Sequence, residues 1–153
     1  MPNKTSIEWT DYTSNPIVPV GGGWGCSKVS PGCDHCYAER LNLRMGNKRE
    51  FQGKWDFRLK EQELANLLKV PAGSKVFMMD MGDLFHSDIP WNMMLRVFSF
   101  MAVMPWVTFQ LLTKRPGRMA HFAEHIWPQY RDHFITVPWN WPPNVWAGTS
   151  VES

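Results

Sequence analysis

The residues best suited to chemistry are three cysteines, which all lie in one short segment, GWGCSKVSPGCDHCYAER. Cys26, Cys33 and Cys36 are the only cysteines among the 153 residues, and they fall within eleven positions of one another. Three thiolates from one loop form a set of soft metal ligands that leaves one coordination position open. Such a set is typical of an iron–sulfur cluster in which one iron binds something other than protein.

Two other interpretations of the cysteines stay open. Free cysteine is often simply buried, although these three lie in a polar segment rich in glycine and proline. A structural zinc ion, with His35 or His86 as fourth ligand, is the second alternative. The Cys-x6-Cys-x2-Cys spacing lacks the paired Cys-x2-Cys arms of common zinc knuckles. An odd number of cysteines and no apolar leader in MPNKTSIEWTD favour reduced thiols in the cytoplasm.

The composition limits the classes of partner. A formal net charge of +2 is too small to indicate nucleic acid from charge alone. The longest apolar stretch, around residues 97–107, contains Ser99 and Pro105 and is too short to span a bilayer, so no membrane partner is expected. Nine tryptophans and ten methionines indicate large, irregular buried surfaces or apolar surface that meets a partner.

Apolar runs alternate with helical patterns along most of the chain, which predicts a βα fold with a parallel sheet. Asp11–Gly25 is interpreted as a long loop. The chain ends just after a buried strand, so we expect a C-terminal continuation or a partner chain, and an apolar patch beside that strand. The predicted strands are Thr5–Thr10, Ser74–Asp80, Trp106–Thr113 and Asn144–Ser150, and the predicted helices are Asp34–Met45, Arg58–Lys69, Pro90–Met104 (with Pro90 as first helical residue) and Arg118–Ile126.

Polar residues follow each predicted strand, where parallel α/β folds gather their ligands. The cysteines come after the first strand, and Asp80 and Asp83 after the second. A helix cap or turn residue is the alternative interpretation of these aspartates, and for one of the two it explains the residue at least as well. Lys114 and Arg115 follow the third strand, where a solvated turn is the alternative interpretation. The last strand runs into Ser150, Val151 and Glu152. Together these strand ends predict a pocket at one edge of the sheet.

Several blocks of the sequence in combination are similar to one known family. These blocks are TSIEWTDYTSNP, GCSKVSPGCDHCYAE, KVFMMDMGDLFHSDIP, TFQLLTKRPGRM and NVWAGTSVES. They resemble the phage gene-product 37/68 family, which comprises three-cysteine-motif, radical-SAM-like proteins of the DUF5131 type. The resemblance covers nearly the whole chain. The loop before Cys26, with its run of three glycines, is longer than is usual in the family.

The resemblance implies a fold and a cofactor. The fold would be a partial (β/α) barrel of parallel strands, with residues 1–153 forming one radical-SAM-like domain that is the N-terminal part of a longer barrel. Cys26, Cys33 and Cys36 would hold a [4Fe–4S] cluster, although their spacing departs from the usual Cys-x3-Cys-x2-Cys. The unique iron would chelate S-adenosylmethionine, and an external electron donor would drive its reductive cleavage.

The resemblance also implies which residues contact S-adenosylmethionine. Gly82 and Asp83 stand where related proteins hold the methionine amino group. The backbone near Tyr37 would lie against the adenine. Ser150 and Glu152 would reach the ribose hydroxyls.

The sequence therefore favours a cytoplasmic radical-SAM-like enzyme, encoded by a phage or its bacterial host, that acts on an unknown substrate. Lys114, Arg115 and Arg118 would suit a phosphate, so a nucleotide or nucleic-acid substrate stays open. The alternative is a zinc- or cluster-stabilised phage binding module that contacts nucleic acid or a protein partner.

Overall fold

The computed structural model describes residues 3–21, 54–134 and 141–149, apart from the side chains of residues 3, 133 and 134. A π-helical turn, Phe122–Ile126, joins the third and fourth α-helices. The predicted helix Asp34–Met45 lies outside these ranges. In chain order the elements are β1 (Asn3–Lys4), β2 (Tyr12–Ser14), β3 (Ile17–Pro19), β4 (Phe57–Leu59), α1 (Glu61–Leu67), β5 (Lys75–Met78), α2 (Trp91–Ala102), β6 (Thr108–Thr113), α3 (Pro116–His121), α4 (Trp127–Phe134) and β7 (Val145–Thr149).

Five strands form one sheet in the order β1-β2-β5-β6-β7. Strands β2, β5, β6 and β7 run parallel, and β1 pairs antiparallel with β2 at the edge. Helices connect successive parallel strands, so the predicted parallel α/β architecture is confirmed. Strands β3 and β4 form a separate antiparallel ribbon. Within the described ranges the main sheet is open and does not close into a barrel.

One face of the sheet carries the hydrophobic core. Tyr12, Val76, Phe109 and Val145 lie in register on the four parallel strands, and all four are buried. Burying side chains of this size stabilises the fold by about 1.5–3 kcal/mol each. The helices contribute the rest of the same core, including Leu64, Leu67, Met94, Val97, Phe98, Met101, Phe122 and Trp127.

The opposite face of the sheet is much more exposed. Phe77, Gln110 and Trp146 lie in register on β5, β6 and β7. Trp146 is 55% exposed and Leu112 is 43% exposed. These two apolar side chains lie on and beside the last strand, where the sequence predicts an apolar patch.

The first parallel strand is not the one predicted. Thr5–Thr10 is irregular, and the strand that pairs with β5 is Tyr12–Ser14, which lies in the predicted loop. The Thr5 hydroxyl accepts a hydrogen bond from the Ile7 N–H, and the Thr10 hydroxyl donates to the Tyr12 and Lys75 carbonyls. Such side-chain bonds to nearby backbone compete with strand pairing, which explains the error.

The other elements lie close to their predicted positions, with three differences. Helix α1 begins at Glu61, because Phe57–Leu59 pairs with β3 instead. Pro90 is the N-cap of α2 and not its first helical residue. The predicted helix Arg118–Ile126 is part of a longer helical segment from Pro116 to Phe134. Pro128 has no N–H to donate within it, and the π turn just before Pro128 shifts the hydrogen-bond register.

Asn144 fastens the amino end of the sheet to the end of α2. Its buried side-chain amide donates to the carbonyl oxygens of Met101, Met104 and Val107, at 2.8–3.1 Å. The last carbonyls of a helix have no partner within the helix itself. One neutral side chain therefore closes the connection between α2 and β6 and sets the start of β7.

No helix in the described ranges has the length and apolar character needed to cross a membrane.

Candidate functional site

The carboxyl ends of β2, β5, β6 and β7 lie side by side because these strands are parallel. The segments that follow them form the carboxyl end of the sheet. Of the residues predicted to bind the cofactor, Gly82 and Asp83 lie in the described part of this end. The predicted residues outside the described ranges are Cys26, Cys33, Cys36, Tyr37, Ser150 and Glu152.

A strained turn follows β5. Met79 adopts φ +60°, a left-handed conformation that costs a non-glycine residue roughly 1 kcal/mol or more. Its N–H donates to the Ser14 carbonyl at 2.7 Å, so the turn is tied to the end of β2. Asn15 holds the other side of the turn, since its amide donates to Asp80 Oδ1 and its carbonyl oxygen accepts from the Met81 N–H at 3.1 Å. Backbone strain of this kind is often found at functional sites.

Asp83 joins the turn after β5 to the end of β6. Its Oδ2 accepts hydrogen bonds from the Thr113 hydroxyl (2.9 Å), the Lys114 N–H (3.2 Å) and Arg115 Nη1 (2.9 Å). Its Oδ1 accepts from the Phe85 N–H at 2.9 Å, which is an Asx turn. The alternative interpretation of Asp83 as a turn residue is thus supported. The ion pair adds a second role, because it fixes two strand ends to each other.

The Asp83–Arg115 ion pair is well shielded from water. The side chains of Arg115 and Asp83 are only 10% and 6% exposed. Removing two charges from water costs several kcal/mol per ion, so such a pair needs good geometry and further hydrogen bonds. The Thr113 and Lys114 donors provide those bonds for the carboxylate. The Thr113 hydroxyl oxygen also accepts from the Arg115 N–H at 2.9 Å, which orients the arginine backbone.

His86 is a fully buried, neutral histidine beside this ion pair. Burial, followed by the nearby charge of Arg115, lowers the pKa of His86 from 6.5 to about 4. Its Nδ1 accepts a hydrogen bond from the Asp88 N–H at 2.9 Å, so the ring proton lies on Nε2. Its ring also contacts Phe57 edge-on. His86 therefore links the turn after β5 to the β3–β4 ribbon.

Arg118 lies near the ion pair on helix α3. Its Nη2 donates to the Ile89 carbonyl at 2.7 Å, and its guanidinium stacks on Trp91 at 3.9 Å from the ring centre. Partial burial, and then the charge of Arg115, lowers the pKa of Arg118. Of the three basic residues predicted to suit a phosphate, Arg115 is engaged with Asp83 and Arg118 with Trp91.

Sequence reasoning missed Asn15 and considered His86 only as an alternative zinc ligand. Asn15 precedes Pro16 in a predicted loop, where asparagine is common and carries no specific signal. His86 follows an apolar run in DLFH, and nothing in that pattern indicates that its ring is fully buried. Asn15 acts on Asp80 and Met81, which the pairing of β2 with β5 brings near it.

The described part of the carboxyl end can position loops but does not itself offer a metal site. In residues 3–21, 54–134 and 141–149, no three His, Cys, Asp or Glu side chains lie together as a ligand group. Asp80 and Gly82 are both half-buried in the turn after β5. The ion pair, the strained turn and His86 hold the backbone there in place.

Comparison with known proteins gives one match. The sequence profile of a family described as "Protein of unknown function (DUF5131)" matches residues 4–153, a range that includes the three cysteines and all four parallel strands. No curated protein matches the chain. No solved structure matches it either.

Proposed function

The chain belongs to the DUF5131 family of proteins of unknown function, and we propose that it is a radical-SAM-like iron–sulfur enzyme of phage or prophage origin. The observation that carries this proposal is the ligand set Cys26, Cys33 and Cys36 in one short segment. Three soft thiolates fit a [4Fe–4S] cluster that keeps one iron open to a cofactor. Zinc usually takes four protein ligands in structural sites.

The fold supports a position for this cluster beyond the carboxyl end of the sheet. Strand β3 begins three residues after β2 ends, and its Pro19 pairs with Phe57 of β4. The two ends of the segment that contains the cysteines are thus fixed next to each other. The Lys60 N–H donates to the Pro16 carbonyl at 2.7 Å, and the Ser14 hydroxyl donates to Glu63 at 3.2 Å. These bonds keep the ribbon close to the end of β2, where ligands of parallel α/β folds gather.

The remaining residues would bind S-adenosylmethionine. We propose that the Gly82 backbone contacts the methionine group, that Tyr37 lies against the adenine, and that Ser150 and Glu152 contact the ribose. The Asp83 carboxylate already accepts four hydrogen bonds, so its contribution is to hold the Gly82 backbone in position. When bound, the cluster and S-adenosylmethionine supply one-electron chemistry that starts with hydrogen abstraction from a substrate.

The experiment is anaerobic purification of the full chain, followed by quantification of iron, sulfide and zinc. We expect about four irons per chain and a brown protein. Cys26→Ala, Cys33→Ala and Cys36→Ala should each abolish cluster incorporation, because a cluster with two protein ligands is readily lost. Ser30→Ala, which lies in the same segment and has no ligand chemistry, should keep its iron. A reductant-dependent release of 5′-deoxyadenosine from S-adenosylmethionine tests the cofactor separately.

Three outcomes would contradict all or part of the proposal. Full iron content in all three cysteine variants would show that the thiols do not hold the cluster. Colourless protein with one zinc per chain would instead support a zinc-stabilised binding module. Iron without 5′-deoxyadenosine would retain the cluster and exclude radical-SAM chemistry.

A further inference from the structure

Two exposed histidines lie one helical turn apart where α3 passes into the π-helical turn. His121 is the last residue of α3, and His125 lies in the π turn. Their ring centres are 5.0 Å apart, with an angle of 50° between the ring planes. Side chains four positions apart on a helix are neighbours on one face. Two histidines at this spacing are a common way for a helix to bind zinc.

The distance between the two rings matches that of two ligands on one metal ion. Zinc binds a histidine nitrogen at about 2.0–2.1 Å, which places each ring centre roughly 3.2 Å from the ion. Two ring centres are then about 5.2 Å apart in tetrahedral coordination and about 4.5 Å apart in square-planar coordination. The 5.0 Å between His121 and His125 lies between these values. The second side-chain torsion of histidine is broad, so these exposed rings can turn a nitrogen toward a shared ion.

The neighbouring side chains add a negative charge and support one of the rings. Glu124 Oε2 lies 3.8 Å from His125 Nε2, so a carboxylate stands beside the pair. The Trp91 ring packs on His121 with ring centres 5.5 Å apart. Arg118 carries a positive charge nearby, and its guanidinium stacks on Trp91 at 3.9 Å and donates to a backbone carbonyl. The local structure is also of a kind that is frequent at functional sites, since π-helical turns occur there often.

From this geometry we infer that His121 and His125 bind a divalent transition-metal ion of the zinc class. Imidazole nitrogen suits zinc and nickel, whereas magnesium prefers oxygen ligands. Among the described residues, no third His, Cys, Asp or Glu side chain completes a ligand group with them. Water therefore fills the other coordination positions, and Glu124 accepts a hydrogen bond from one such water.

The sequence around the pair has the order of a known zinc motif. Residues 121–125 read HFAEH, and H-x-x-E-H is the order found in one class of zinc peptidases. A catalytic zinc site usually has three protein ligands, and the described residues provide two. We therefore infer metal binding at this pair and no peptidase activity.

The test is a titration of the full chain, freed of any purification tag, with Ni²⁺ alone, followed by NMR of the backbone amides. Paramagnetic nickel broadens the signals of nearby amides, so the spectrum locates the ion. We expect broadening around His121 and His125. His121→Ala and His125→Ala should each weaken nickel binding here by about a hundredfold, because the second imidazole no longer binds within the same molecule. Glu124→Gln should weaken it less, by up to about tenfold.

Gln129→Ala is the matched control. Gln129 is exposed on α4, four positions beyond His125, and its removal should leave nickel affinity within about twofold of the unchanged chain. The histidine variants remove exposed side chains, so their amide spectra without metal should keep the dispersion of a folded chain. Loss of broadening in a variant that is still folded then reports the loss of a ligand.

Zinc distinguishes this site from the thiols. Competition with a chromophoric zinc chelator should show weaker binding at this site for His125→Ala and unchanged binding for Cys33→Ala. Broadening elsewhere in the chain alone, or broadening that persists in both histidine variants, would overturn the inference. Abolition of the broadening by an equal concentration of Mg²⁺ would overturn it too, because the site would then select charge and not imidazole ligands. The cysteines take no part, so failure here is distinct from failure of the proposed iron–sulfur function.

Discussion

The two ends of the parallel sheet use buried polar side chains in different ways. At the amino end, one neutral amide, Asn144, donates to three backbone carbonyls. At the carboxyl end, the buried pair Asp83 and Arg115 ties two strand ends together. Both arrangements close a loop, but the charged one carries a much larger desolvation cost. The amino end shows that this fold can close a connection without charge, so the charges at the carboxyl end favour chemistry there.

The backbone shows the same difference. At the amino end, the turn before β5 places Gly73 at φ +87°, where glycine is unstrained. At the carboxyl end, the turn after β5 places buried Met79 at φ +60°, where a side chain is strained. The fold therefore has an unstrained glycine at the amino end and a strained methionine at the carboxyl end. Strain that the surrounding contacts maintain is common where a loop must hold a ligand.

The largest expected effect is that of removing the positive partner at the carboxyl end. Arg115→Met should lower the free energy of unfolding by about 3–5 kcal/mol, because it leaves the Asp83 carboxylate buried without its counter-charge. Combining it with Asp83→Asn should restore much of the loss, since no buried charge then remains. Arg96→Met is the control: its ion pair with Glu61 is exposed, at 50% and 61%, and should contribute at most about 1 kcal/mol.

Urea-induced unfolding of these variants measures the differences. If Arg115→Met and Arg96→Met were equally stable, the Asp83–Arg115 pair would contribute no more than a surface contact.

The second prediction is that acid destabilises the carboxyl end. The pKa of His86 is about 4 in the folded chain and 6.5 when exposed, so the unfolded chain binds its proton more readily. The contribution of His86 is fully present above pH 6.5 and is lost as the pH falls toward 4. A shift of this size corresponds to roughly 3 kcal/mol.

The measurement is the free energy of unfolding between pH 4 and 7 for the unchanged chain and for His86→Gln, which cannot titrate. The difference between the two curves should grow as the pH falls from 6.5. Hydrogen exchange should show that the amides after β5 lose protection before those around Asn144. Parallel curves for the two proteins would mean that His86 is not buried as a neutral ring.

The sequence predicted the parts of the fold that depend on long apolar runs. Strands β5, β6 and β7 were found because their buried residues are continuous or alternate over several positions. Strand β2 was missed because three residues beside Pro16 and Pro19 carry no periodic signal. Its strand character comes from pairing with β5, which is a tertiary contact that no local pattern reports.

The position of the candidate site was predictable from the sequence, but the hydrogen bonds and ion pairs between its residues were not. Asp83 was identified because a charge follows an apolar run, yet its partner Arg115 lies 32 positions away. The contacts of Asn15 reach 65 and 66 positions along the chain. Such pairs depend on strand order and register, which composition and periodicity leave open. The cysteines lie outside the described ranges, so their predicted role stays a prediction.

The smallest expected effect is at the amino end. Asn144→Ala removes the two amide N–H donors that three carbonyls share. It should lower the free energy of unfolding by about 2 kcal/mol, because the Met101 and Met104 carbonyls keep their backbone hydrogen bonds. The effect should not vary with salt or with pH between 4 and 7, because no charge is involved. Asn92→Ala is the control, since Asn92 is exposed at the start of α2 and bonds only the Met93 N–H among the described contacts; its effect should be within about 0.5 kcal/mol. A loss for Asn144→Ala that exceeds that of Arg115→Met would reverse the comparison and make the amino end the more tightly constrained one.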